Sequence, residues 1–593
     1  MSEQPTADHP HPWRALVGRS TDDSPALTTG SGTRTGRGPA DGPISWRTLH
    51  DDATRVALAL ADVGVTAGDR VGVVLPTGRE LAACLFAIGR IGAVAVLADP
   101  RLGTRQLDRA LRRAGLDRLI GTPAAARAAR VRKWAPKRYV AGTPGGKPFS
   151  TAQRRLLGLR GSYPELVAHG EELLAGGASL PAEPEPGADA LVVFHATGST
   201  RPSGVVYSHA TLAAMLDAAR RVLPFGPDRG VIAAFAPAAL LALGAGAPAV
   251  IPAAGRSGRL DAGELAAAAR RLPNAVLSLT PAQVASVLES ADALGDDDRR
   301  ALLTIGSVAV GGAPVTVDEL ARLSNLLGTR DVHAPYGLAG ALPLTDITLD
   351  ELIEAESTRA AGSGTCVGRP LPGVEIAIAP HDPDAAPARS ADDLATEAGV
   401  SGEVWGSAPH IRDRYLLPAA EQARAQMSAG WHRTGDTGHV DAAGRLWLTG
   451  RRGSEITPPG SVLEPVAIEL AARGVRGVAK ACAVGIGPRG RQVLAVAVEP
   501  TPAARGRGAS RGASRGRPAG RPALAGPALA SLVTRAVGDV TDVAVGAVVV
   551  LDPIPVDVRY GSQVQREAVS AAIESLVTGP GRAGRRGRTT LKR

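Results

Sequence analysis

An α/β fold, with helices covering both faces of parallel sheets, is expected from helical and β-type hydrophobic periods that take turns along the chain and from short β-branched runs between the helices. Asp51–Val63 carries apolar residues at helical spacing, and Gly68-Asp-Arg-Val-Gly-Val-Val-Leu75 follows as a valine-rich strand. Glu80–Ile91 is helical again, and Ala93-Val-Ala-Val-Leu97 is the next strand. The pattern recurs at 101–122 and at 261–312, where Ala275-Val-Leu-Ser-Leu279 and Ile305–Val310 read as buried strands. Residues 140–187 are interrupted by Gly and Pro and give no readable period. Gly230–Gly255 is free of charge and long enough to suggest a membrane span, but Pro237, Pro248, Pro252, Gly244 and Gly246 break it, so it reads as core.

At 593 residues the chain exceeds one compact core, so two or more domains are expected. A hydrophobic content of 44% is that of a globular protein, whereas aromatics are only 3%. Cys84, Cys366 and Cys482 lie far apart without metal-ligand spacing, which predicts buried thiols in a reducing, cytoplasmic setting and excludes a disulfide framework. Met1–Asp41 is polar and rich in Gly, Pro, Ser and Thr, with no apolar segment of a secretory signal, and reads as a disordered leader over 1–41.

The net charge of +10 is concentrated in two places. Segments 501–522 and 579–593 hold six basic residues each and no acidic ones, so setting these twelve charges aside leaves a body at −2. Arg505, Arg507, Arg511, Arg515, Arg517 and Arg521 sit among Gly, Ala, Ser and Pro, a composition that cannot bury apolar surface, so a disordered insertion and a disordered basic tail are expected. No aromatic residue is interleaved for base stacking, which argues against specific nucleic-acid recognition.

Ala196-Thr-Gly-Ser-Thr-Arg-Pro-Ser-Gly-Val205, followed by Ser208-His209, reads as a phosphate-holding loop or, alternatively, a plain surface turn. Small residues let backbone N–H groups close around phosphate oxygens, and paired hydroxyls add donors. A lysine is absent. Together with stations downstream, this loop resembles the adenylate-forming (AMP-binding) superfamily of acyl-CoA synthetases, luciferases and peptide-synthetase adenylation domains. The other stations are Gly311-Gly-Ala-Pro314, His333-Ala-Pro-Tyr-Gly-Leu-Ala-Gly340, Gly364-Thr-Cys-Val-Gly-Arg-Pro-Leu-Pro-Gly373, Gly402-Glu-Val-Trp405, Gly430-Trp-His-Arg-Thr-Gly-Asp436 and Gly444-Arg-Leu-Trp-Leu-Thr-Gly-Arg451. The resemblance spans residues 45–575. The wording from His333 through Pro343 and Asp346, at Gly364–Gly368 and at Ile554-Pro-Val-Asp-Val-Arg559 is most similar to the olefin-biosynthesis β-lactone synthetases and the related fatty-acid ligases.

The resemblance implies a large N-terminal AMP-binding domain of doubly wound sheets over 42–449. A smaller mobile α+β C-terminal domain over 450–578 would be hinged near Gly450 and Gly453, with Ser454 where the family has Asp or Lys. It also implies ATP and Mg2+ as cofactors, a small carboxylic acid as substrate, and coenzyme A or the substrate's own β-hydroxyl as acyl acceptor. Thr197, Gly198, Ser199 and Thr200 would hold phosphates, Thr200 and Gln563 would stand at the catalytic positions, and Gly311, Gly312, Ala313 and Tyr336 would flank adenine. Asp436 would accept from the ribose hydroxyls beside Arg451. No residue is assigned to a metal.

Three family residues that neutralise phosphate charge are replaced. Ser203 stands at the loop lysine, Gly340 at the magnesium-binding glutamate, and Gln563 at the C-terminal lysine. Adenylation requires a carboxylate oxygen to attack the α-phosphorus and expel pyrophosphate, so loss of one charge-stabilising contact costs about 10²–10³ in rate. Three functions therefore remain open: an acid ligase forming an acyl-adenylate, an impaired descendant that binds AMP or acyl-adenylate as a sensor or scaffold, or a chain that keeps only the second half-reaction, which in the family it resembles does not use the C-terminal lysine. Gly485-Ile-Gly-Pro-Arg-Gly490 spells a dinucleotide fingerprint but opens no helix, so a turn is expected. His195, His209 and His333 lack zinc-ligand spacing and read as core or rim histidines, with His209 also a candidate for the acyl pocket or for capping the helix that follows.

Overall fold

The computed structural model describes residues 11–30, 42–98, 104–141, 149–195, 203–234, 236–253, 259–360, 362–380, 390–412, 414–416, 430–501, 504, 521–556 and 564–578. Two large, mostly parallel sheets carry the N-terminal domain. The first has eight strands in the order Arg414–Tyr415, Ser203–Ser208, Asp189–His195, Val94–Ala98, Arg70–Val74, Arg118–Gly121, Lys137–Val140 and Leu159–Ser162. Only the first two pairings are antiparallel. The second has seven strands in the order Val332–His333, Ser307–Val310, Val276–Leu279, Val231–Ala233, Ala249–Ile251, Pro25–Thr29 and Ile44–Ser45, parallel except for the last pair. The expected strands at 68–75, 93–97, 275–279 and 305–310 all lie in these sheets, because valine- and leucine-rich runs suit positions buried on both faces.

The uncharged run at 230–255 forms a strand, the helix Ala236–Gly244 and a second strand, and among the described residues no helix is long and apolar enough to cross a membrane. Residues 140–187, unreadable as sequence, hold the helices Thr151–Leu157 and Tyr163–Ala175 around the strand Leu159–Ser162. Their periods are too short to read without the sheet they complete.

A disordered leader over 1–41 is corrected for residues 11–30. Arg14–Gly18 is helical, Trp13 and Leu16 are buried, and Pro25–Thr29 pairs with Ala249–Ile251, with Leu27 opposite Ala249. Tertiary pairing overrides the polar composition, since only Ala26 and Leu27 need be apolar to fill a sheet position. Residues 1–10 and 31–41 lie outside the described residues, as do 505–520 and 579–593, on which the expectations for the Arg-rich insertion and tail fall.

Local signals start the helices. Ser45, Thr280, Thr316 and Thr348 each accept a backbone N–H of the first turn through the side-chain oxygen, and the last three have Gln283, Glu319 and Glu351 reaching back as capping boxes. Asp52, 2% exposed, ties three helices together. It receives Arg79 Nε at 2.6 Å and Nη2 at 3.0 Å and the Tyr163 hydroxyl at 2.9 Å.

A five-stranded antiparallel sheet (Thr365–Cys366, Leu446–Arg451, His432–Val440, Ser401–Ser407, Glu375–Pro380) and a three-stranded one (Tyr336–Leu338, Ala341–Asp346, Arg369–Pro370) complete the large domain. The small domain is a four-stranded sheet (Val478–Ile486, Val493–Pro500, Val545–Val550, Ala523–Leu524) with the helices Pro465–Arg473, Pro527–Gly538 and Arg566–Thr578. Gly485 and Ile486 end the first strand of its hairpin, Gly487–Gly490 lie in the turn, and the segment opens no helix. Cys84, Cys366 and Cys482 are buried free thiols; burial pushes Cys366 up to about 11 and Cys482 to about 12. The two domains meet where Thr437 Oγ1 donates to Glu464 Oε2 at 3.0 Å. A Cβ on Gly450 would overlap that carboxylate and stand 3.0 Å from Pro465 Cδ, so any larger residue there would have to displace the Glu464 side chain.

Candidate functional site

The strands His432–Val440 and Leu446–Arg451 run antiparallel with Asp436 directly opposite Arg451, which places both side chains on one face. Arg451 Nε stands 3.6 Å from Asp436 Oδ1. Tyr336, from the three-stranded sheet, donates its hydroxyl to Asp436 Oδ2 at 2.7 Å. The Asp436 backbone N–H donates to Thr434 Oγ1 at 3.0 Å, and Thr434 Oγ1 donates to Val404 O at 2.7 Å, so the turn carrying the carboxylate is fixed from behind. Gly435 takes φ +78° to make that turn.

Burial raises the Asp436 carboxyl above its ordinary range and outweighs the opposing pull of Arg451 and Tyr336. Burial, reinforced by the Asp436 charge, raises the Tyr336 phenol well above its own. The phenol therefore acts as donor and the carboxylate as acceptor, with Oδ1 still able to accept from a diol.

Gly311, Gly312 and Ala313 follow the strand Ser307–Val310, at its carboxyl end, where open parallel sheets bind ligands. Gly312 has φ +100°, and a Cβ on Gly311 would lie 3.6 Å from Pro335 O, one residue before Tyr336. The structure thus gathers Gly311, Gly312, Tyr336, Asp436 and Arg451 around one edge of the large domain. His333, at the neighbouring edge strand, meets Asp346 through Nδ1 at 2.5 Å and Asp331 through Nε2 at 3.0 Å. Burial alone would lower its pKa, but the hydrogen bonds and charges of Asp346 and Asp331 prevail and raise it.

Thr197, Gly198, Ser199 and Thr200 lie outside the described residues. Their flanking strands pair antiparallel, with His195 opposite Ser203, which sets the two ends of the loop side by side. Gln563 also lies outside the described residues. Three residues on, Arg566 is a half-buried cation held by both Glu469 oxygens, one at 2.9 Å, and donating to Ala483 O at 3.2 Å. It is fully committed to its own domain.

Gly340 has φ +96°, and a Cβ there would stand 2.7 Å from Arg412 Cδ and 3.1 Å from Val205 Cγ1. Side chain and conformation both exclude a glutamate at this position. Among the described residues, no group of three His, Cys, Asp or Glu side chains is placed to hold a metal. Arg412 was not foreseen from the sequence, where Pro409-His-Ile-Arg412 gives no pattern. His209, the first residue of the helix His209–Val222, is 1% exposed, and it is Ser208 that caps this helix. Its ring packs edge-on against Trp13 at 4.8 Å and His11 at 5.2 Å, and burial lowers its pKa to about 4. The partners from the N-terminal segment had no signal in the sequence.

The AMP-binding enzyme family matches residues 18–416. An olefin beta-lactone synthetase from Stenotrophomonas maltophilia is 30% identical over 482 residues, covering 79% of this chain and 83% of that protein. The long-chain-fatty-acid–CoA ligase FadD13 of Mycobacterium tuberculosis is 25% identical, covering 75% of this chain and 80% of its own. Among solved structures, ATP-bound MatB from Rhodopseudomonas palustris superposes with a TM-score of 0.73 at 18% identity, over 95% of this chain and 99% of that one, and so shares its fold. With that fold, and with a family match over most of its length, the chain belongs to the AMP-binding enzyme family.

Proposed function

We propose that this chain is an adenylate-forming ligase whose cleft grips the adenosine monophosphate half of ATP or of an acyl-adenylate and activates a fatty acid. One observation carries the reading: the Tyr336 hydroxyl, the Asp436 carboxylate and Arg451 converge within 3.6 Å beside the Gly311-Gly312-Ala313 turn. A carboxylate with one free oxygen is the natural acceptor for a vicinal ribose diol, and an aromatic ring beside glycines gives adenine a flat bed. Likeness to an olefin beta-lactone synthetase and to a long-chain-fatty-acid–CoA ligase supports a fatty acid, including a β-hydroxy acid, as the substrate. The acyl group would then pass to coenzyme A or close on its own β-hydroxyl.

Thr197, Gly198, Ser199 and Thr200 are assigned to the phosphates, with Thr200 and Gln563 nearest the reacting carboxylate. The turn Arg451–Ser454, where Gly453 has φ +85° and Ser454 Oγ donates to Arg451 O at 2.5 Å, is assigned as the pivot between domains. Magnesium does not fit at Gly340, where the glutamate is replaced and Arg412 fills the space. This favours a second reading, in which AMP or an acyl-adenylate is bound while its formation is slow.

Incubation with ATP, Mg2+ and a panel of fatty and β-hydroxy acids, following pyrophosphate, separates the two. Release well above background supports the ligase. Binding of AMP without release supports the second reading, and absence of both binding and release sinks the cleft assignment.

A further inference from the structure

We propose that Arg412 is the phosphate-holding cation of this cleft, taking over the charge that a bound metal and a loop lysine would otherwise supply; this rests on the reading that the cleft binds AMP. Arg412 is 2% exposed, among the most completely buried large side chains of the molecule. A buried charge is strongly disfavoured unless it is paired. Arg412 has no carboxylate partner among the described residues. Its Nη2 donates to Arg433 O at 3.3 Å, its guanidinium lies 4.1 Å over the Tyr415 ring, and its backbone N–H donates to Gly340 O at 2.6 Å.

The neighbouring carboxylates are already engaged by other arginines. Asp189 holds Arg414 through both oxygens, at 2.8 and 2.5 Å, and Glu403 holds Arg433 in the same bidentate way, at 2.9 and 2.5 Å. Among the described residues Arg412 is the odd cation of this cluster. The remaining titratable groups facing it, again among the described residues, are the phenols Tyr415 and Tyr207. Neither neutralises a guanidinium at neutral pH.

The position of the side chain says what anion belongs there. Its stem fills the space a side chain at Gly340 would need, against Val205 of the strand leaving the phosphate loop, and its head touches Arg433, three residues before Asp436. It therefore lies between Arg433, on the strand that carries Asp436, and Val205, on the strand that leaves the proposed phosphate loop. A planar fork of N–H donors in a nearly dry site suits a phosphate oxyanion without a metal.

The test compares AMP with adenosine by calorimetry, in Mg2+ and in EDTA, for the native chain, Arg412→Met and Arg412→Lys, with thermal melting to confirm folding. Octanoate alone is the third ligand. Loss of charge-assisted hydrogen bonds worth roughly 1.5–3 kcal/mol predicts that Arg412→Met binds AMP about 10- to 100-fold more weakly while adenosine binding holds, with AMP affinity of the native chain insensitive to EDTA. Should the Met variant not fold, Arg412→Lys still decides, because it keeps the charge, loses the fork, and should weaken AMP alone. Equal weakening of both nucleotides, or an unchanged AMP-to-adenosine ratio, overturns the proposal, as does loss confined to octanoate. Failure of the native chain to bind either nucleotide overturns instead the reading on which it rests.

Discussion

On the proposed reading, the ribose side and the phosphate side of the cleft differ in how much of their polar machinery is assembled. On the ribose side Asp436, Arg451 and Tyr336 are within contact of one another and buttressed by Thr434. On the phosphate side the proposed assignment puts Gly340, Ser203 and Gln563 at the charged positions of the family, and the space beside Gly340 is filled by an arginine stem. Recognition of a nucleoside and stabilisation of charge moving on phosphate are separable tasks, and on the proposed reading this chain keeps the parts for the first while altering those for the second.

The largest effect that sharpens this contrast is expected from Asp436→Ala. Removing the acceptor should weaken adenosine and AMP alike by about 100-fold, as expected for hydrogen bonds to a charged group; calorimetry with both ligands checks it, and a loss confined to AMP would erase the division between the two sides. Gly340→Glu should not restore a magnesium requirement. The left-handed backbone and the Arg412 stem predict instead a loss of about 2 kcal/mol in stability, measured by denaturant unfolding with and without Mg2+.

Gln563→Lys is expected to raise pyrophosphate release by about tenfold, less than the full value of such a contact because groups acting as a unit do not add. No increase would place the bottleneck in the altered loop and at Gly340. Tyr336→Phe should cost about 1 kcal/mol in affinity for adenosine, the worth of one hydrogen bond.

Acid offers a further comparison. Because burial raises the Asp436 carboxyl, it protonates at a higher pH than an ordinary carboxylate, and adenosine binding should fade as the pH falls through that raised value. Arg412 keeps its proton throughout, so the AMP-to-adenosine ratio should not collapse in step. Titration of both affinities from pH 8 downward reads this directly.

Much of the fold was legible because the two large sheets are built from valine- and alanine-rich runs that suit only interior strands, as at Arg70–Val74 and Val276–Leu279. The grouping of Tyr336, Asp436 and Arg451 was legible for a related reason, since these residues sit in short motifs whose local turns are formed. Pro25–Thr29 was not, because two buried apolar residues leave no periodic trace. Arg412 was not either: its importance depends on which neighbouring carboxylates other arginines have claimed, and a linear string does not record that.

The seat of Pro25–Thr29 has a practical consequence. The strand lies between Ala249–Ile251 and Ile44–Ser45, and the segment before it lays Trp13 against His209. Trimming the first forty-odd residues as dispensable would strip the flank of a large sheet, leave unpaired peptide groups along Ala249–Ile251, and bare an imidazole that is now dry. Preparations shortened in that way should clump during purification, whereas affinity handles attached at the opposite terminus, beyond Thr578, should be tolerated.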